Sequence, residues 1–484
     1  MSSQPASGQA SPPRAGGVPG SADDADLYRY RPPERPSTMD ERGRRKWVYP
    51  ADIQGRFMRW RRWTGWVLIA IYFALPWIRV GGMPAVWLQI PERRFVLFGS
   101  VFFPQDAFYL VFLLVGLALC LFFFTALVGR VWCGWACPQT VFLEEVFRKI
   151  ERFVEGDHHA QRRLDAAPLS GGKIARKTVK HLLFLLVSAL VSNTFIAYFA
   201  GTEDLLHWML RPPLEHWTAF LFMASILALV YFDFAWFREQ FCTVLCPYAR
   251  FQSVLTDADT VQVGYDTIRG EPRGRLGTAA GDCIDCHLCV AVCPTGIDIR
   301  EGYQLECIGC SRCVDACDSI MDRVGRPRGL VRYDSLARLG GQAGRLFRPR
   351  VVVYSLLLVL VAGLLVWGLG TRATLDFTVL RAPGEPFALL PGGLVSNHYH
   401  MRVHNRGDRD RTYRIVLDGP AEAQLILPVN PVRLRAGEQM RLEVFVNIPA
   451  GAVAAGRAEL ALQVREVESL VGEKPTTFLA PVIR

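Results

Sequence analysis

The chain has 484 residues, 51% hydrophobic and 21% charged, with a formal net charge of +10. A mean hydropathy of +0.18 is high for a soluble domain, yet that charged fraction excludes a chain lying wholly within a bilayer. Thirteen cysteines are too sparse for a disulfide scaffold, and the basic excess implies nucleic acid only if membrane topology leaves it unexplained.

Residues 1–45 are rich in Ser, Pro, Gly and Ala without an apolar run, so a disordered cytoplasmic tail is expected there, with no signal-peptide core. Residues 46–260 read as a membrane region with four spans. Arg56, Arg59, Trp60, Arg61, Arg62 and Trp63 suit a headgroup layer and lead into an apolar run, Thr64–Ile78. Further runs are Ala107–Gly129, Val179–Ala200 and Trp217–Phe237. Each is about 20 residues, enough to cross about 30 Å of hydrocarbon. Residues 261–335 form a cysteine-rich insert, 336–370 a linker with a fifth span at Val351–Gly370, and 371–484 a final domain.

Lys and Arg crowd the segment before the first span and the loop between the second and third, while the loops after the first and third are poor in them. The N-terminus is therefore expected in the cytoplasm, and five spans would put the C-terminal domain in the periplasm. Topology accounts for the basic excess, so nucleic acid is not needed as a partner; the lipid bilayer is. All the cysteines fall in spans or inner segments, as thiolate ligands in a reducing compartment should. Beyond Thr371, alternating stretches at Val395–His404, Thr412–Leu417, Gln424–Leu427, Arg441–Ile448 and Glu459–Val464 predict an antiparallel, immunoglobulin-like β-sandwich. The fold class is thus multi-domain: membrane helices, an inserted dicluster ferredoxin and an all-β end.

The chemistry centres on Cys283-x2-Cys286-x2-Cys289-x3-Cys293-Pro294 and Cys307-x2-Cys310-x2-Cys313-x3-Cys317. Three cysteines at this interval wrap an iron–sulfur cube, and the fourth ligates the neighbouring one. One [4Fe-4S] cluster is expected on Cys283, Cys286, Cys289 and Cys317, the other on Cys307, Cys310, Cys313 and Cys293. Zinc takes four tetrahedral ligands, usually in two separated pairs, and has no use for eight cysteines in this doubled rhythm. Asp318 stands where the second motif would have proline, which changes a turn preference and removes no ligand. Ile284, Ile308 and Val314 are expected to shield the cubes.

A second motif, C-x3-C-P, occurs twice at inner membrane edges: Cys133/Cys137 before Pro138, and Cys242/Cys246 before Pro247. The region reads as a duplicated two-span unit. Helical spacing of i and i+4 would let each pair offer two thiolates to one metal. Four converging thiolates could hold a metal ion such as copper, a further cluster, or act as a redox dithiol. Cys120 is expected to be a small packing residue. His398, His400 and His404 share one strand face, read as a solvated polar face with a copper or zinc site as the alternative. Glu144 and Glu145 are read as an exposed acidic helix face.

Together these residues resemble the FixG/RdxA/CcoG family of cytochrome c oxidase accessory proteins. The resemblance spans roughly residues 45–484. It rests on Arg94-Phe95-x2-Phe98-Gly99, Phe103-Pro104-Gln105-Asp106, both C-x3-C-P motifs, Cys293-Pro294-Thr295-Gly296-Ile297-Asp298-Ile299-Arg300, Asp315-Ala316-Cys317-Asp318-Ser319 and the sandwich-like end. It implies an inner-membrane iron–sulfur protein that reduces Cu(II) to Cu(I) for assembly of cbb3-type oxidases. A cytoplasmic electron donor and oxidase subunits or copper chaperones would be its partners; a homodimer is left open. The residues themselves indicate an electron conduit ending at soft thiolates. Rival readings are a quinol-linked donor to a periplasmic reductase and a non-catalytic assembly scaffold.

Overall fold

The computed structural model describes residues 37–481 apart from 41, 103–106, 276, 278–280, 346, 372–374, 408, 436, 454–455 and 467–468. Residues 1–36 of the expected tail and the Phe103–Asp106 motif lie outside the described residues. The fold divides into two units, one of Met1–Trp77 with Leu113–Ala362, the other of Ile78–Phe112 with Gly363–Arg484.

The first unit begins earlier than its composition suggested. Residues 37–45 were expected to belong to the tail, but Ser37 donates to the carbonyl of Thr295 at 2.9 Å, and Arg45 pairs with Glu239 at 2.7 Å. These long-range polar contacts hold a segment that has no apolar face of its own.

Helix α1 (Arg56–Ala74) follows. The run Thr64–Ile78 was expected to be the span. Instead the helix starts two turns earlier, takes in the arginines, and ends before Pro76, where the ring would remove an amide and clash. Among the described residues, four helical stretches are long and apolar enough to cross a membrane, and α1 is not one of them: Phe108–Val128, Gly171–Ala200, Trp217–Phe237 and Pro349–Gly370. They contain helices α2 (Ala107–Val128), α3 (Gly171–Ala200), α4 (Trp217–Phe232) and, later in the chain, α7 (Pro349–Gly370). Their exposed residues are largely Leu, Val, Phe and Trp, the surface lipid would cover.

Between the third and last of these stretches sits a small cysteine-rich fold. Strands β1 (Val261–Tyr265) and β2 (Val331–Ser335) pair antiparallel and bring its two ends together. Between them lie the short helix α5 (Leu288–Ala291) and the longer α6 (Arg312–Arg323).

In the second unit, two antiparallel sheets form the C-terminal domain. One orders β7 (Gln424–Ile426), β9 (Gln439–Pro449), β5 (Leu394–Asn405) and β3 (Leu375–Arg381), with β4 (Ala388–Leu390) also on β5. The other orders β8 (Val432–Leu434), β6 (Arg411–Asp418), β10 (Arg457–Glu466) and β11 (Ser469–Leu479). Alternate residues form the core: Tyr399, Met401, Val403, Val444 and Val446 from the first sheet, Tyr413, Ile415, Leu462 and Val464 from the second. All five anticipated strands are present. Strand β11 was not anticipated, because Gly472 and Pro475 break its pattern; it lies at a sheet edge, where proline is tolerated.

Candidate metal centres

The two ferredoxin motifs share a backbone as well as a spacing. Asp285 and Gly309 occupy the second position after the first cysteine of each motif, and both have positive φ (54° and 64°). His287 and Ser311 follow the second cysteine and repeat this (55° and 62°). A non-glycine residue in this region costs about 1–2 kcal/mol. Its recurrence at matched positions shows that the loops are bent to turn their cysteines inward.

The cysteines line two cavities. One is walled by Cys283, Cys286, Cys289 and Cys317 with Ile284, Leu288 and Ile320. The other is walled by Cys293, Cys307, Cys310 and Cys313, with Cys289 at its edge and Ile297, Ile299 and Ile308 around it. Each fourth cysteine is therefore found with the other motif's three, which is the exchanged pattern expected of two cubes. Ile284 and Ile308 stand where shielding was expected. Val314 lines neither cavity but is buried in the apolar cluster that includes Cys283 and packs on Cys289, Cys313 and Cys317.

Burial pushes the thiols of Cys289, Cys307 and Cys317 up to about 12. Such thiols stay protonated near neutrality until a metal supplies positive charge, so binding here releases protons. Among the described residues, no three of these thiols approach within 4.8 Å of one another. A tetrahedral zinc, with Zn–S near 2.3 Å, would draw its thiolates to about 3.8 Å. The donor set and its wider spacing fit a cube better than a single ion.

The membrane-edge motifs form a second group. Val131–Trp135 is a short helix carrying Cys133, and Phe241–Leu245 is a π-helical turn carrying Cys242. Cys137 and Cys246 do not continue these turns on one helical face, as the i, i+4 spacing had suggested. Each is extended (ψ 125° and 113°) and begins a new helix with Pro138 or Pro247 in its first turn. The proline ring excludes its predecessor from helical geometry. Burial pushes Cys133 up to about 12, with the thiols of Cys137 and Cys246 adding to the rise. Cys242 is raised by burial and then by Cys137, Cys133 and Cys246. The four sulfurs thus lie within electrostatic reach of one another.

Gly134, inside the first C-x3-C-P motif, lies directly on the second ferredoxin loop. A Cβ there would sit 2.6 Å from the carbonyl oxygen of Ile308 and 2.8 Å from the Cys310 amide nitrogen. Gly134→Ala should therefore force the two loops apart and cost about 1–3 kcal/mol. Iron content and thermal unfolding of the purified variant would both fall; unchanged values would show that the contact is loose.

Arginines fasten the same junction. Arg61 donates to the carbonyl of Gly134 at 2.7 Å, and Arg130 to the carbonyls of Leu305 and Ala249. Asp315 of α6 accepts the amides of Met58 (2.7 Å) and Phe57 (3.2 Å), capping α1 from another segment.

Glu144 and Glu145 were expected on an exposed acidic face. They are 4% and 2% exposed, on a π-helical turn, Leu143–Phe147. Glu144 bridges Arg148 and Arg312 (2.6 Å), while Glu145 pairs with Lys149 at 2.5 Å. Arg148 also donates to the carbonyl of Pro294 (3.2 Å), and Arg312 to that of Ala51 (2.7 Å). Burial would raise the Glu144 carboxyl, but Arg148 and Arg312 outweigh it and hold it at about 2. Arg148 and Lys149 lie four residues on; Arg312 of the cysteine-rich fold is the partner distant in sequence.

The histidines of β5 separate. His404 is buried at 2%, so it is not part of a solvated face. His398 and His400 are half-exposed beside Glu443.

Apolar helices, two cysteine-walled cavities and a thiol group packed against one of them define a membrane iron–sulfur electron-transport protein. Residues 237–336 match the 4Fe-4S dicluster domain family and residues 110–155 a 4Fe-4S binding domain family. Residues 365–481 match the IG-like fold at the C-terminus of FixG. Protein RdxA of Cereibacter sphaeroides is 37% identical over 439 residues, covering 86% of this chain and 92% of the relative. Nitrogen fixation protein FixG of Rhizobium meliloti is 34% identical, covering 90% and 91%. The ferredoxin-type protein NapH of Haemophilus influenzae is 22% identical, covering 58% and 93%. The chain belongs to the FixG/RdxA family.

Proposed function

We propose that this protein reduces Cu(II) to Cu(I) at the inner face of the bacterial cytoplasmic membrane, for copper delivery to a cbb3-type oxidase. The observation that carries the reading is Gly134, which puts the Cys133/Cys137 motif in contact with the loop bearing Cys310. Cys283, Cys286, Cys289 and Cys317 would hold one [4Fe-4S] cluster, and Cys293, Cys307, Cys310 and Cys313 the other. When bound, the clusters supply one-electron carriers. Cys286 is exposed while Cys310 is buried, so a cytoplasmic one-electron donor would dock on the Cys286 side. Cys133, Cys137, Cys242 and Cys246 receive the substrate. Cu(II) takes up one electron, and the soft thiolates favour the resulting Cu(I) until a chaperone or oxidase subunit accepts it.

Substituting serine at all four membrane cysteines should abolish Cu(I) formation, read with a Cu(I)-specific chelator, without lowering ferredoxin-type iron. Wild-type copper reduction in that variant would refute the route. The match of residues 110–155 to a 4Fe-4S binding family favours a second reading, a further cluster at these thiols. Iron and sulfide that fell in the four-serine variant would select it.

Five crossings suit this function. The chain before α1 bonds to the cysteine-rich fold, since Ala51 donates to the carbonyl of Ala291 at 2.8 Å. The chain just after α2 meets the same fold, with Arg130 donating to the carbonyl of Leu305. Both ends of the α1–α2 stretch thus meet the same fold, so a crossing by α2 requires a second one, which α1 would supply. Helix α1 has 19 residues, about 28 Å in length, with its arginines at the inner end and its apolar residues beyond them. The N-terminus is then cytoplasmic and the β-sandwich periplasmic. An impermeant thiol reagent should label a cysteine placed at Glu92 or Glu422 from outside, and one at Asp322 only after lysis. Labelling of Glu92 only after lysis would contradict the fifth span.

A further inference from the structure

Outside both cysteine groups, the C-terminal domain carries a second kind of donor set. Strand β5 alternates: Tyr399, Met401 and Val403 enter the core, which turns His398 and His400 to the opposite face of the sheet. Strand β9 runs antiparallel beside it, with Glu443 opposite His400 and Phe445 opposite His398. Glu443 consequently stands between two imidazoles. Its Oε1 is 3.0 Å from His400 Nδ1, and its Oε2 contacts His398 Nε2. All three ligand atoms fall within 4.8 Å of one another.

The rings are held in place. His398 stacks on Phe445 with centroids 4.3 Å apart and planes 8° from parallel. The His400 ring lies 5.0 Å from that of His398 at 63°. Donors on paired strands of a packed sheet keep their spacing better than donors on loops.

A surface His–Glu ion pair would need one histidine; here two converge on one carboxylate. Two imidazole nitrogens and a carboxylate oxygen, half-exposed so that water can complete the shell, suit a divalent transition ion. Among such ions copper binds a given nitrogen and oxygen site most tightly. No cysteine occurs after Cys317, so this domain offers no soft thiolate that would favour Cu(I).

We propose that His398, His400 and Glu443 form a Cu(II)-binding site on the outer face of the β-sandwich. This site stands apart from the thiol chemistry proposed above and does not depend on it. Full-length, cluster-loaded protein in nanodiscs is titrated with Cu(II) and followed by electron paramagnetic resonance. With the clusters kept oxidised, and so diamagnetic, and with copper reduced at thiols silent, the copper signal reports Cu(II). The expected result is a bound-copper signal with nitrogen hyperfine structure from two imidazoles. His398→Asn with His400→Asn should weaken binding at least about 100-fold and remove that structure. Glu443→Gln should weaken binding while retaining the nitrogen pattern, which also covers the case of a poorly folded double variant. An absent nitrogen-coordinated signal in the wild type, its persistence in the double variant, or displacement of copper by equimolar Zn(II) would overturn the assignment. Thiol-dependent Cu(I) production is measured separately with the chelator, so the two proposals fail independently.

Discussion

Cys317→Ser should remove the cluster of the first cysteine motif, although Cys317 belongs to the second. The cavity walled by Cys283, Cys286 and Cys289 takes its fourth thiol from α6, and the cavity of Cys307, Cys310 and Cys313 takes Cys293. Each single substitution should therefore halve iron and sulfide, to about four irons of about eight per chain. The variants must also differ in which cluster survives. Cys317→Ser and Cys283→Ser should give the same residual reduced spectrum, whereas Cys293→Ser and Cys307→Ser should share another. If Cys317→Ser instead matched Cys307→Ser, the exchange of fourth ligands would be wrong. The surface-reaching cavity should also be the easier to lose to oxidants, because Cys286 is exposed while Cys310 is buried.

The second large effect is expected at Glu144. Glu144→Gln leaves Arg312, 1% exposed, and Arg148, 2% exposed, facing a neutral side chain. Breaking one partner of a buried ion pair typically costs about 3–5 kcal/mol, mostly as uncompensated buried charge. Thermal unfolding in detergent, followed by loss of cluster absorbance, should shift down accordingly. Glu144→Leu combined with Arg312→Met should recover much of the loss, since apolar replacement of a buried pair is often neutral. Arg148 would keep Glu239, 3.4 Å away, as its partner. A single variant as stable as the wild type would mean that solvent reaches this network. The network should also resist mild acid. With the Glu144 carboxyl held at about 2, its contribution is full above its unfolded value near 4.5 and is lost as pH falls toward 2.

The acid network explains why a π-helical turn persists at Leu143–Phe147. Such turns shift side chains relative to a regular helix, at some cost in hydrogen-bond geometry. Here Glu144 and Arg148 face inward from neighbouring turns to reach Arg312 and Pro294 of the cysteine-rich fold. The same contacts tie the membrane-edge segment to both ferredoxin motifs. Gly134 touches the second through Ile308 and Cys310, and Arg148 reaches the first through Pro294.

The residues themselves carried the cysteine chemistry, because a chelating motif is local: two-residue spacing sets which thiols can share a cube before any packing is known. Apolar runs and strand alternation were legible for the same reason, each being a periodic match between side chains and a solvent boundary. Burial of Glu144, Glu145 and His404 was not, since an acid or imidazole reads as exposed until a distant partner or a closing sheet covers it. Nor could spacing alone place Gly134 on the loop of Cys310, or Glu443 between His398 and His400. Those meetings join residues more than 40 positions apart, and only the folded backbone brings them within contact distance.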